Sequence, residues 1–201
     1  MTKKYVKEPH TAIFSGPTSC GKTKLMLDLI ESEYKQHFDN IIILCPTISW
    51  NATYLERSWL WNDDDIYLIN PHENLIKYIS QLSKMFAGEA SLFIIDDCIS
   101  NTELDKTRSS LLNLAISGRH KNHYLWCLTQ RYTKIPLTVR DQLKQLFIWH
   151  PKNKKEFNLI HEENDVIDSD IDLKMVKQEL KNGAHNCLYL RLNHPRGFKI
   201  I

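Results

Sequence analysis

Residues Gly16-Pro17-Thr18-Ser19-Cys20-Gly21-Lys22-Thr23 fit the pattern G-x-x-x-x-G-K-[ST] at every fixed position. That pattern constrains the fold more than any other stretch, because it works only between a buried strand and a helix N-terminus. A triphosphate needs donors on several oxygens at once, and backbone amides curled into a nest at a helix start supply them. Gly16 and Gly21 let the chain turn and approach without a Cβ in the way. Lys22 is then placed to reach the β- and γ-phosphates, and the Thr23 hydroxyl to ligand Mg²⁺. Both flanks agree. Thr11 to Ser15 reads as a buried strand running in, and Lys22 to about His37 as an amphipathic helix running out, with Leu25, Met26, Leu29 and Ile30 on one face. A chance glycine-rich turn would not need either flank. The pattern predicts a nucleotide site.

A second anchor follows about seventy residues later. Ser91-Leu92-Phe93-Ile94-Ile95-Asp96-Asp97 is an apolar run ending in two carboxylates. A buried strand delivers side chains at its C-terminal tip, where open α/β sheets bind ligands. Asp96 fits the acid that holds Mg²⁺, directly or through water. Asp97 fits the group that orients and deprotonates an attacking water; Glu is common in that role, and Asp must reach about one methylene further. Alone, such a run could simply end in a turn or a helix cap.

Between and beyond the anchors the chain alternates strands and helices. Ile41 to Cys45 and Ile66 to Ile69 read as strands, and Leu75 to Met85 as a helix. Trp50, Tyr54, Trp59 and Trp61 read first as helix-face or subunit packing and second as base stacking, and Asp63 to Asp65 as a solvated turn. Thr102 to Ser117 reads as a helix closed by Gly118, with the basic cluster Arg119-His120-Lys121 beyond it. The strand Tyr124 to Leu128 ends in Thr129-Gln130, where a polar Gln could sit beside a γ-phosphate as a neutral sensor. Leu146 to Trp149 reads as a further strand. Lys152, Lys154 and Lys155 read as a solvated helix face ahead of a phosphate-backbone contact. Asp168 to Asn182 reads as a helix ending at Gly183, and the alternating residues from Leu188 to Ile201 as a closing β-hairpin on an edge of the sheet.

Composition narrows the class. At 201 residues, 42% hydrophobic and 25% charged, the chain suits one α/β domain, with a core over residues 10–150 and C-terminal helices and hairpin over 151–201. No stretch approaches the roughly 18 apolar residues of a membrane span, and Met1 to Tyr5 has no apolar leader character. The five cysteines lack C-x-x-C spacing and read as reduced thiols in a reducing compartment. The nine histidines show no ligand spacing, so no structural zinc is expected. A net charge of +2 argues neither for nor against nucleic acid, so any DNA contact must come from a local patch.

Taken together, Gly16 to Thr23, Ile94 to Asp97, Gly118 to Asn122, Leu128 to Tyr132 and Ile135-Pro136 resemble the poxvirus-type genome-packaging ATPases of the FtsK–HerA superfamily. The resemblance covers roughly residues 10–150, and its most specific part is Gly118 to Arg140. It implies a RecA-like, ASCE-type P-loop NTPase: a mostly parallel sheet flanked by helices, with the Gln130 strand between the phosphate-loop strand and the Asp96 strand. It also implies an ATP- and Mg²⁺-dependent motor that drives double-stranded DNA into a viral capsid, at its portal vertex, as a homo-oligomeric ring of about five or six subunits. The implied location is the cytoplasm or viral factory of an infected cell. Such rings complete each site with a neighbour's arginine. The match of Gly118-Arg119 places that role on Arg119, with Arg131 and Arg140 in reserve. Lys106, Arg108, Arg131 and Lys134 are the candidate DNA contacts. Two other classes fit a strand, a phosphate loop and a helix in a chain of this size. One is a small nucleoside or nucleotide kinase, and the other a nucleotide-dependent assembly switch. The acidic pair with Gln130 favours water as acceptor over both.

Overall fold

The computed structural model describes residues 5–34, 36–71, 75–98, 104–167 and 169–201. Its centre is an eight-stranded sheet: β1 (Thr11–Ser15), β2 (Asn40–Leu44), β3 (Ile66–Ile69), β4 (Ser91–Asp96), β5 (His123–Thr129), β6 (Leu143–Trp149), β7 (Cys187–Arg191) and β8 (Gly197–Ile200). They lie in the order β3-β2-β4-β5-β1-β6-β7-β8. The first six pair in parallel, while β7 and β8 add to one edge antiparallel. The Gln130 strand, β5, therefore sits between β1 and β4, as the resemblance implies. The closing hairpin is the β7–β8 edge.

The strands read as unbroken apolar runs because helices cover both faces. Along β1, Ile13 points into one core, while Ala12 and Phe14 point into the other. The second core receives Met26, Leu27, Leu29 and Ile30 of α1 (Lys22–Ser32), Tyr54 of α2 (Ala52–Leu55) and Leu60 of α3 (Trp59–Asn62). The first core receives Ile79 of α4 (Leu75–Met85), Leu111 and Leu114 of α5 (Leu104–Lys121) and Val139 of α6 (Leu137–Arg140). Phe157 and Ile160 of α7 (Lys154–Asn164), and Val176 and Leu180 of α8 (Asp170–Asn182), complete that layer. Among the described residues no helix is long and apolar enough to cross a membrane.

Several boundaries differ from the sequence reading. α1 stops at Ser32, not near His37. The Tyr34 ring turns into the core, its hydroxyl donates to the Val6 carbonyl at 2.6 Å, and Gln36 adopts a left-handed φ of 60° that a helix cannot continue through. α5 runs through Gly118 to Lys121, so Gly118 is not its stop. A Cβ at 118 would lie 3.0 Å from the His123 carbonyl oxygen. The stop is Asn122, with φ 61°, the left-handed residue that commonly ends a helix. β6 begins at Leu143, three residues before the apolar run, because Gln145 is buried and bonded. Its Oε1 accepts from the Val6 amide (3.1 Å) and the Tyr189 hydroxyl (2.8 Å), and its Nε2 donates to Tyr34 Oη (3.0 Å).

Of the four aromatics after β2, only Tyr54 is fully buried; Trp59 is half-buried, and Trp50 and Trp61 are exposed. Asp63 to Asp65 form the expected solvated turn, with the Asp65 amide on Asp63 Oδ1 at 3.0 Å. Thr102 and Asp168, the expected first residues of α5 and α8, lie outside the described residues, as do the side chains of Lys106 and Arg108.

Candidate nucleotide site

The site forms where β1, β4 and β5 end side by side. The loop leaves β1 with the Gly16 amide on the Thr129 carbonyl of β5 at 3.1 Å. Ser19 (φ 62°) and Gly21 (φ 103°) take left-handed backbones, which turns successive amides inward ahead of α1. The two glycines are required for different reasons. Gly21 is held by its φ, whereas a Cβ at Gly16 would come within 2.7 Å of Trp149 Cβ and 2.9 Å of Cys20 Sγ. The Lys22 ammonium folds over the loop, donating to the carbonyls of Gly16 (2.9 Å) and Pro17 (3.0 Å). His185, in the turn before β7, braces the loop from the other side, with Nδ1 3.1 Å from the Cys20 carbonyl oxygen.

At the tip of β4 the two carboxylates part. Asp96 is buried, and its Oδ2 accepts from Thr23 Oγ1 at 3.1 Å and from the Tyr54 hydroxyl at 2.7 Å. Burial pushes its carboxyl up from the usual range; the Tyr54 bond pulls it back, neighbouring Asp97 pushes it up, and Thr23 and Lys22 again lower it. Burial also raises the Tyr54 phenol, so at neutral pH it stays protonated and donates. Asp97 instead turns out to solvent, in a left-handed backbone (φ 50°) fixed by its amide on the Leu128 carbonyl at 3.2 Å. Gln130, one strand over, reaches it with a long bond of 3.4 Å from Nε2 to Oδ2. The fold thus brings together Lys22, Thr23, Asp96, Asp97 and Gln130. Thr23 and Asp96 offer hard oxygen donors on one spot, a set suited to Mg²⁺.

Residues 1–184 match the family described as Poxvirus A32 protein. The chain belongs to that family. No curated protein matches the A32-family chain. Its fold is that of B204, the DNA-packaging ATPase from Sulfolobus turreted icosahedral virus, at a TM-score of 0.71 and 15% identity over 97% of this chain and 98% of that one. The B204 NTPase of Sulfolobus turreted icosahedral virus 2, solved with AMPPCP, gives 0.63 and 17% over 98% of each chain. The pCW3 conjugation coupling protein TcpA, solved with ATPγS, gives 0.63 and 12% over 96% of this chain and 60% of that one.

The three candidate arginines lie apart in the A32-family chain. Arg131 follows Gln130 and lines a cleft of about 310 Å³ together with Pro17, Thr18, Lys152 and Lys155. Arg140 is engaged within its own chain, 2.5 Å from Glu163 Oε1 and over the Tyr132 ring. Arg119 is exposed on the last turn of α5, at the end where β5 begins, whereas the phosphate loop lies where β5 ends. It is not brought to its own site.

Sequence reasoning missed Tyr54 and His185. Tyr54 stands among Trp50, Trp59 and Trp61 with nothing in the sequence to single it out. His185 carried no signal either, since only folding brings a residue 165 positions away onto Cys20.

Proposed function

We propose that this chain is an ATP-hydrolysing motor that drives double-stranded DNA into a viral capsid, working as a homo-oligomeric ring. The observation that carries the reading is the sharing of Asp96 with Thr23 at one strand tip, beside an outward Asp97 that Gln130 touches. Buried Asp96 is held for a metal, and exposed Asp97 is free to meet a water. The loop amides and Lys22 bind and orient the triphosphate, and Lys22 leaves its two carbonyls for the phosphate oxygens. Thr23 and Asp96 would hold Mg²⁺, which when bound neutralises charge on the phosphates. Asp97 orients the attacking water and takes its proton, and Gln130 senses the γ-phosphate from β5. Arg119 is assigned to a neighbouring subunit's site. Family membership supports the viral assembly setting, and the likeness to B204 supports the packaging role. The capsid, its portal vertex and the factory of the infected cell are the corresponding partner and place.

ATP turnover with and without duplex DNA, set beside phosphate transfer to a panel of nucleosides and nucleotides, tests the reading. Turnover stimulated by duplex and no phosphorylated acceptor is the expected result. A phosphorylated nucleoside would make the chain a kinase.

A further inference from the structure

We propose that Tyr54 is the positioning residue that holds Asp96 toward the metal, delivered by a two-helix arm clamped to the helix of the phosphate loop. The proposal rests on the reading of Thr23 and Asp96 as the metal-holding pair.

Tyr54 lies on α2, far from the loop in sequence, yet its side chain is fully buried and its hydroxyl donates to Asp96 Oδ2 at 2.7 Å. The other hydroxyl on that oxygen is Thr23 Oγ1, at 3.1 Å. A hydroxyl has one proton and two lone pairs, so Thr23 can ligate a metal and still donate to Asp96. Tyr54 makes the shortest bond to that oxygen, shorter than Thr23 or the Cys45 thiol (4.0 Å), and holds the carboxylate from the side of the arm. A carboxylate torsion is broad when nothing holds it, and a charge-assisted bond narrows it.

The arm that carries Tyr54 is fastened to α1, whose first residue is Lys22. Asn51 caps α2 through the Thr53 amide at 3.0 Å. Arg57 then bridges Glu31 (2.8 Å) and Asp28 (2.5 Å) of α1, and Trp59 Nε1 donates to Glu31. Trp61 Nε1 closes the arm on itself at the Tyr54 carbonyl, 3.1 Å away. The same helix thus carries Lys22 and Thr23 at its start and the arm along its length. Loop, Thr23 and Tyr54 are referenced to one element, and the Tyr54 hydroxyl ties Asp96 at the end of β4 to it. The plainer account is that Tyr54 is a core aromatic whose hydroxyl merely found an acceptor.

Titration calorimetry with AMPPCP, in Mg²⁺ and in EDTA, separates the two on the wild-type chain, Tyr54→Phe and Asp96→Asn. The expected result is metal-free affinity within about twofold in all three. The gain that Mg²⁺ confers falls about tenfold in Tyr54→Phe, the scale of one hydrogen bond to a charge. It falls at least as far in Asp96→Asn. An unchanged or increased gain in Tyr54→Phe, with the gain lost in Asp96→Asn, overturns the role of Tyr54 alone. An unchanged gain in Asp96→Asn overturns the metal pair and this proposal with it. Should Tyr54→Phe fail to fold, Arg57→Gln loosens the arm without touching Asp96. A loss of about two- to fivefold in the Mg²⁺ gain is then expected, and no loss overturns the proposal.

Discussion

Replacing Arg119 with alanine separates a subunit acting alone from one acting on its neighbour. Arg119 precedes β5 and Gln130 follows it, so the seven residues of that strand, at about 3.3 Å each, put roughly 20 Å between the arginine and its own phosphate site. At that distance in water a unit charge contributes only about 0.2 kcal/mol, less than twofold in rate. Locally, its cation on the last turn of α5 is worth about 0.3–1 kcal/mol of stability. An arginine supplied to another subunit's γ-phosphate is worth ~10³–10⁵ in turnover. The two outcomes lie decades apart. In the motor account, Arg119→Ala binds ATP normally, assembles, melts within a few degrees of the wild type, and hydrolyses at least a thousandfold more slowly. Steady-state turnover with a nucleotide-binding titration reads all of this. Mixing then assigns the direction. An Asp97→Asn subunit keeps its arginine but has an inactive site, and Arg119→Ala keeps an intact site. Mixed rings should recover activity that neither parent has. Turnover within twofold of wild type in Arg119→Ala, or a mixture as inactive as its parents although mixed rings form, refutes the reasoning.

Other expectations follow from the same geometry. ATP·Mg²⁺ raises the melting temperature by mass action, and Lys22→Ala abolishes that rise; a thermal shift that survives the substitution contradicts the assignment of the loop. Asp96→Asn weakens Mg²⁺-dependent nucleotide binding, whereas Asp97→Asn binds ATP nearly normally and hydrolyses it ~10²–10⁴-fold more slowly. Equal losses of affinity in both would show that the roles are divided wrongly. His10 is fully buried with Nδ1 on the Glu8 carbonyl at 2.8 Å and Nε2 facing Trp126 and Gln145, and burial lowers its pKa to about 3. A folded pKa below the unfolded value means stability is present above about pH 6.5 and lost as pH falls. Between pH 7.5 and 5 the loss is on the order of 2 kcal/mol, and chemical denaturation of His10→Gln at both pH values should show that part of the slope removed.

The phosphate-loop pattern and the two aspartates at the end of β4 were legible because their chemistry is local. A nest needs its glycines and lysine in one short run, and a strand tip announces itself as apolar residues followed by acids. The strand alternation that brings Gln130 beside Asp97 was legible only through the family resemblance, since periodicity does not give strand order. Three features escaped. Gln145 falls outside the apolar run that marks its strand, because buried polar groups are recognised by their partners, which come here from the N-terminal segment, the turn after α1 and β7. The true end of α5 escaped because Gly118 is demanded by the close pass of His123, not by a turn. Tyr54 escaped because an aromatic among aromatics gives no hint of which one meets a carboxylate 42 positions on.

The central claim is movement along DNA, and ATP-dependent release of a third strand from a duplex measures it directly. A translocating ring displaces a triplex-forming oligonucleotide at a distance from its loading point. The account predicts release that requires hydrolysable ATP, is indifferent to duplex sequence, weakens steeply with salt, and vanishes in Asp97→Asn. ATP turnover stimulated by duplex but without any ATP-dependent release would contradict it.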